Sequence, residues 1–241
     1  MMGSHFWQGT WRGSAPAGEE HVRSREIVRH TGGIVRGKFP SRKNGRMVQH
    51  EGLLELDAIY LFEASPLIAG FREQPAAIRF ADGTKLRKYT PDFEVTLMSG
   101  ENVLVEVKPK AKLADPELDR KLKLLEDYFA RRDQVFVVLT EEQLRLEPRQ
   151  SNLRWVFHQA PRIYPQPLAI QVAVSSAAGA FPMSIRRATE VLGSAGVDPF
   201  SALLVGCLVC DLDRSVSLET LVQPPLEICH DWFRIAQTAE F

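Results

Sequence analysis

Apolar positions along this chain fall into two periods, and the switch between them predicts its elements. Over residues 49–63, QHEGLLELDAIYLFE, the positions Leu53, Leu56, Ile59, Tyr60 and Leu61 recur near the helical period of 3.6. Ser65-Pro66 predicts where that helix stops. Strands are predicted over residues 68–71 and 77–80, separated by Glu73-Gln74-Pro75, and Asp82-Gly83 is a hairpin turn signal.

Residues 89–109 read as two strands with period 2. Phe93, Val95 and Leu97 alternate with Asp92, Glu94 and Thr96, and Val103, Val105 and Val107 alternate with Leu104, Glu106 and Lys108. A three-residue loop over residues 99–101 pairs Phe93 with Val107, Val95 with Val105 and Leu97 with Val103. One face is then wholly apolar, while Asp92 lies opposite Lys108 and Glu94 opposite Glu106. A slip of one residue would mix the two faces, so the apolar pattern selects this register.

Residues 115–132 predict an amphipathic helix with Leu118, Leu122, Leu125 and Phe129 on one stripe and Asp115-Pro116 as its start. VFVVL within residues 134–140 reads as a strand buried on both faces. A short helix over 141–146 and a strand over 153–157 follow. Strand–strand–helix–strand predicts a mixed α/β sheet. Three prolines between residues 158 and 167 mark a linker. Beyond it, helical patterns over 184–192 and 199–210 predict a small helical domain, with Asp198 as N-cap and Pro199 at the first helical position.

Composition narrows the class. The 241 residues carry 30 Lys+Arg and 30 Asp+Glu, with 44% apolar residues, which excludes a chain disordered throughout. The longest apolar run, near residues 202–209, is far short of the ~20 residues that span a bilayer. No secretory h-region stands near the N-terminus, and three cysteines make no disulfide framework. A cytoplasmic protein without membrane contact is the expectation. Charge is balanced globally but not locally. Residues 21–50 hold eight basic side chains, among them Arg36, Lys38, Arg42, Lys43 and Arg46, against the single acid Glu26. Gly32, Gly33, Gly37, Pro40 and Gly45 predict little regular structure there. A flexible basic arm over residues 1–47 is therefore expected, able to neutralise DNA phosphates; packing on the protein's own acids is the other reading of the same charges. Lys110 is a further candidate phosphate contact.

Asp92, Glu106 and Lys108 carry the candidate chemistry. Glu106 and Lys108 lie two apart on one strand and share a face. Two acids on adjacent strands can hold a divalent cation through oxygen ligands, and such a cation activates a water for phosphodiester hydrolysis. A lysine on the same face can stabilise the charge that develops. Glu55, whose neighbours Gly52, Ala58, Ile59 and Phe62 are small or apolar, faces the core from the helix, unlike Asp57, which reads as exposed. The same D…ExK spacing also occurs as solvated ion pairs on edge strands, so spacing alone leaves both readings open.

Tyr89-Thr90-Pro91-Asp92-Phe93 followed by Glu106-Val107-Lys108-Pro109 resembles the PD-(D/E)XK nuclease core. With Glu51-Gly52-Leu53-Leu54-Glu55 and Phe71-Arg72-Glu73-Gln74-Pro75 ahead of it, the ordered set is similar to the TnsA-like endonuclease subunits of heteromeric transposases. The resemblance covers residues 48–157 and weakens over 168–241. It implies a restriction-endonuclease-like fold, a mixed sheet flanked by helices, with a C-terminal helical, winged-helix-like domain. It implies Mg²⁺-dependent cleavage of double-stranded DNA at the 5′ ends of a mobile element, Mn²⁺ being possible. Glu55, Asp92, Glu106 and the carbonyl of Val107 match the metal ligands, and Lys108 matches the motif lysine. It further implies a DDE transposase subunit as partner and an ATPase regulator docking on the C-terminal domain. A stand-alone restriction or repair nuclease and a non-catalytic DNA-binding regulator are the alternatives. Gln74 reads as a turn residue beside Pro75 or as a contact to DNA or Glu55. Cys207 and Cys210 read as core thiols rather than zinc ligands, with Cys229-His230 too close together to ligate jointly. Trp7, Trp11 and Phe6 are stacking or docking candidates in the arm.

Overall fold

The computed structural model describes residues 35–83, 85–163, 165–226, 232–236, 239 and 241. Trp7, Trp11, Phe6, Cys229, His230 and the basic residues before 35 lie outside the described residues. In chain order the elements are β1 (Gly37–Ser41), β2 (Arg46–His50), α1 (Leu53–Ala64), β3 (Ile68–Glu73), β4 (Ile78–Asp82), β5 (Lys85–Tyr89), β6 (Phe93–Leu97) and β7 (Asn102–Val107). There follow α2 (Lys110–Leu113), α3 (Pro116–Ala130), β8 (Val135–Leu139), α4 (Glu141–Leu144), α5 (Arg149–Gln159), α6 (Pro167–Ser176), β9 (Met183–Ser184), α7 (Ile185–Gly193), α8 (Pro199–Leu204) and β10 (Leu221–Val222).

A four-stranded sheet of order β3-β6-β7-β8 lies at the centre, antiparallel except for the β7–β8 pair. The chain returns from β7 to β8 through α3, as a parallel pair requires. Alternation along the strands sends Phe93, Val95, Val103 and Val105 into one core with Ile59 and Phe62 of α1. The opposite face carries Leu104 against Leu122, Leu125 and Phe129 of α3 and the hairpin residues Phe80 and Tyr89. Each such fully buried side chain contributes ~1.5–3 kcal/mol. The molecule is a mixed α/β sheet flanked by helices, as the restriction-endonuclease-like fold requires.

Four sequence expectations change. The arm drawn to residue 47 ends earlier, because β1 and β2 form a hairpin in which Phe39 pairs with Val48 and both are buried in the core. Asn44-Gly45 makes its turn, with Gly45 at φ 62, and Asn44 Oδ1 accepts the Phe71 N–H at 3.0 Å, pinning the hairpin to β3. Second, residues 153–157 belong to helix α5, where Leu153, Val156 and Phe157 form one buried stripe. Third, β8 is an edge strand, half-buried with Val135 exposed. Fourth, the β6–β7 register is offset by two from the expected one: Phe93 pairs with Val105 and Val95 with Val103. Gly100, at φ 90, takes the left-handed position that closes a three-residue loop, and Leu97 N–H donates to Glu101 O at 2.8 Å. The loop is thus Met98–Ser99–Gly100. An even shift preserves the faces, which is why the apolar pattern does not distinguish the two registers.

Beyond residue 160 the described residues hold α6, α7 and α8 with a small antiparallel β9–β10 pairing. Asp198 caps α8 by accepting from Ser201 N, as its sequence predicts. The hydrophobic core runs on from α1 and α5 into α6, α7 and α8, and Trp155 meets Phe200 edge to face at 5.3 Å. Asn152 of α5 clips residues 212–216 by donating to the carbonyls of Leu212 and Arg214 and accepting from Val216 N. Among the described residues no helix is long and apolar enough to cross a membrane.

Candidate active site

The observed register continues by one position to set Asp92 opposite Glu106, side by side on the sheet face that α3 covers. The expected partner of Asp92 was Lys108. The lysine instead reaches back along its own strand, and its ammonium becomes the meeting point of three oxygens. Glu106 Oε1 stands at 2.7 Å, Asp92 Oδ2 at 3.2 Å and the Val107 carbonyl at 3.2 Å. Asp92 Oδ2 also accepts the Val107 N–H at 2.9 Å, which fixes the aspartate against the end of β7. The second oxygen of Glu106 accepts the Tyr89 hydroxyl at 2.6 Å. One oxygen of this glutamate is thereby held while the other faces the lysine. Sequence reasoning passed over Tyr89 as a site residue; the signal was a hydroxyl on the strand leading directly into Thr90-Pro91-Asp92.

Glu55 enters from the first turn of α1 and accepts the Glu51 N–H at 2.7 Å. Burial pushes its carboxyl up to about 7, with the charge of Asp92 adding to the effect. Burial likewise raises the Glu106 carboxyl, with Asp92 again adding and Lys108 opposing. Burial works against the Lys108 ammonium, but Asp92 and Glu106 outweigh it and hold its pKa above the ordinary lysine value. Burial, then the neighbouring Glu106 charge, raises the Tyr89 hydroxyl, so it stays a donor. Glu55 and Glu106 are thus both raised by burial first and by the Asp92 charge second.

All the converging donors are hard oxygens, the set that Mg²⁺ and Mn²⁺ take. Among the described residues no three His, Cys, Asp or Glu side chains form a ready metal cluster; two carboxylates and a carbonyl surround an ammonium instead. The ammonium is a stand-in cation, and the donor set fits a divalent ion once it moves aside.

Gln74, in the left-handed region at φ 48 and 2% exposed, ends β3 and donates its backbone N–H to the Asp92 carbonyl at 2.9 Å. Its turn role is thus visible, and it supports the acid that matters through the backbone. Asp57, read as exposed, is buried: it is paired with Arg145 at 2.6 Å and with Arg154, both of which face α1. Cys207 and Cys210 follow α8 rather than lying in it, and burial raises both thiols, which opposes the thiolate form that zinc needs.

The basic candidates do not gather into a surface. Arg42 donates to the carbonyls of Phe157 and Ala160 and stacks on the Phe157 ring. Lys43 donates to the carbonyls of Phe62 and Ser65. Arg46 pairs with buried Glu73 at 2.7 Å, Arg36 with Glu51 at 3.5 Å, and Lys110 with Glu142. Of the six, Lys38 stands exposed without an ion pair among the described residues.

A mixed sheet whose paired strands present Asp92 beside Glu106-Val107-Lys108 defines a domain of the restriction-endonuclease-like class. Residues 65–141 match the family model described as TnsA-like endonuclease N terminal. This stretch of the chain is similar to TnsA-like endonuclease N-terminal domains, the family that the motifs resemble. The match contains Asp92, Glu106, Val107 and Lys108 and begins after Glu55. No curated protein matches the chain.

Proposed function

We propose that this chain is the DNA endonuclease subunit of a heteromeric transposase, hydrolysing a phosphodiester at the 5′ ends of a mobile element. The observation that carries the reading is the convergence of Asp92, Glu106 and the Val107 carbonyl on the Lys108 ammonium, inside a TnsA-like domain. A divalent cation, Mg²⁺ or Mn²⁺, held by those three groups with Glu55 would supply a Lewis acid and a bound water of lowered pKa. The residues do the rest. Tyr89 holds Glu106 in one orientation, and the Val107 N–H does the same for Asp92. Lys108, once off the carboxylates, faces the phosphate and stabilises the negative charge growing on its oxygens. No side chain here forms a covalent intermediate. Double-stranded DNA is the substrate in this reading. A DDE transposase subunit is the companion enzyme, and residues 168–241 receive an ATPase regulator.

Calorimetric titration with Mn²⁺ tests the site without any partner. The wild type should bind and Asp92→Ala should not; equal heats in both would remove the metal site and with it the nuclease reading. Given binding, cleavage with the partner subunits should vanish in Asp92→Ala and Glu106→Ala. Lys108→Ala should keep the metal and lose most of the rate.

A further inference from the structure

Two cations of the β4–β5 hairpin meet no acid among the described residues. Its register pairs Ile78 with Tyr89, Phe80 with Arg87 and Asp82 with Lys85 on one face, and Arg79 with Lys88 and Ala81 with Leu86 on the other. The first face is anchored: Phe80 and Tyr89 lie in the core beneath α3, and Asp82 binds Arg87 and Arg120. The second face looks away from the protein. Arg79 and Lys88 are exposed directly opposite each other, with no ion-pair partner among the described residues, and Leu86 beside them is 73% exposed. Like charges placed directly across a strand pair destabilise it. A lone exposed leucine adds nothing to folding. A cationic pair kept at a cost, on a ribbon, suits a polyanion.

The ribbon also points to where that polyanion must lie. Lys88 is four residues before Asp92, so the chain holds its Cα within ~14 Å of the Asp92 Cα. The major groove of B-form DNA admits a two-stranded β-ribbon, whereas the deep, narrow major groove of A-form RNA does not. We propose that the β4–β5 ribbon is the duplex-DNA-gripping element of this chain, Arg79 and Lys88 clamping phosphates and Leu86 packing against the sugar edge beside the site. The proposal rests on the nuclease reading for its substrate and adds the surface that delivers it. Phosphate contacts of this kind position the duplex and do not read its sequence.

Fluorescence anisotropy of the full chain on a short random-sequence duplex tests it, in chelator, so that neither metal nor cleavage enters. Binding is followed over roughly 50–200 mM salt. In Arg79→Gln/Lys88→Gln the slope of log K against log salt should become shallower by about 1.8, at about 0.9 for each phosphate left without its cation. Leu86→Ala should weaken binding with the slope unchanged. The thermal midpoint of the double variant should hold or rise, since a repulsive pair is removed, and this separates weakened DNA binding from weakened folding. A wild-type slope in the double variant overturns the proposal. So does equal binding of duplex RNA, or the absence of salt-dependent DNA binding by the wild type. Mn²⁺ binding with an unchanged slope would sink the ribbon alone. A reduced slope without Mn²⁺ binding would sink the nuclease reading alone.

Discussion

Two basic hairpins bracket the site, and the fold treats them oppositely. In β1–β2, Glu63 reaches into the turn and accepts from Ser41 Oγ and from the N–H groups of Arg42 and Lys43. Glu73 takes Arg46 at 2.7 Å and the Gln49 N–H at 3.2 Å. Arg42, Lys43 and Arg46 there tie the hairpin down, with Lys38 the exception. In β4–β5 the outward cations meet no acid among the described residues. Charge density along the sequence is similar in both. What differs is whether an acid from another element arrives, and that is a tertiary fact. Each hairpin nevertheless ends on a hydrogen bond that steadies a site acid. Glu51, just after β2, donates to Glu55, and Tyr89, the last residue of β5, donates to Glu106.

The contrast can be broken most forcefully at Glu63. Burial lowers the Lys43 ammonium to about 8, with Glu63 the opposing influence that keeps it from falling further. Glu63→Ala removes that balancing charge and strands three donors. It should cost ~3–5 kcal/mol in urea unfolding, the range for breaking a buried charge cluster. A loss near that of an ordinary surface substitution, within about 0.5 kcal/mol, would mean the first hairpin is held by packing alone.

A second test uses pH at the end of the first hairpin. The folded-state value of Glu55 is raised from 4.5 to about 7, so its contribution to stability is fully present below 4.5 and is lost as pH rises through 7. In chelator, wild-type stability should fall across that window by on the order of 1–3 kcal/mol. Glu55→Gln should fall less. Parallel curves would show that burial in the fold does not hold the Glu55 carboxyl up.

The smallest effect belongs to the end of the second hairpin. Tyr89→Phe removes one hydroxyl and leaves the ring packed among Phe80, Phe129 and Phe136. Mn²⁺ affinity should drop about 10–100-fold, the usual toll for losing a group that orients a ligand. Unchanged affinity would reduce Tyr89 to a core residue.

Much of this protein is written locally. The alternation Phe93-Val95 and Val103-Val105 places a strand pair, the stripe Leu122-Leu125-Phe129 places α3, and Asp115, Asp198 and Gly83 mark ends and turns, because period and capping depend only on near neighbours. The motif residues Asp92, Glu106 and Lys108 were legible for the same reason: strand parity assigns their common face before any fold exists. Three things were not local. The β6–β7 register hung on Gly100 taking a positive φ, and both candidate registers bury the same valines. Residues 153–157 became helix because their apolar stripe had α1 and α8 to pack against. Arg42, Lys43 and Arg46 of the first hairpin were claimed by Glu63, Glu73 and backbone carbonyls as distant as Ala160. A sequence states which side chains carry charge and in what period. Only the tertiary structure decides which opposite charge lies within reach, since Coulomb energy depends on spatial separation and burial rather than on position along the chain.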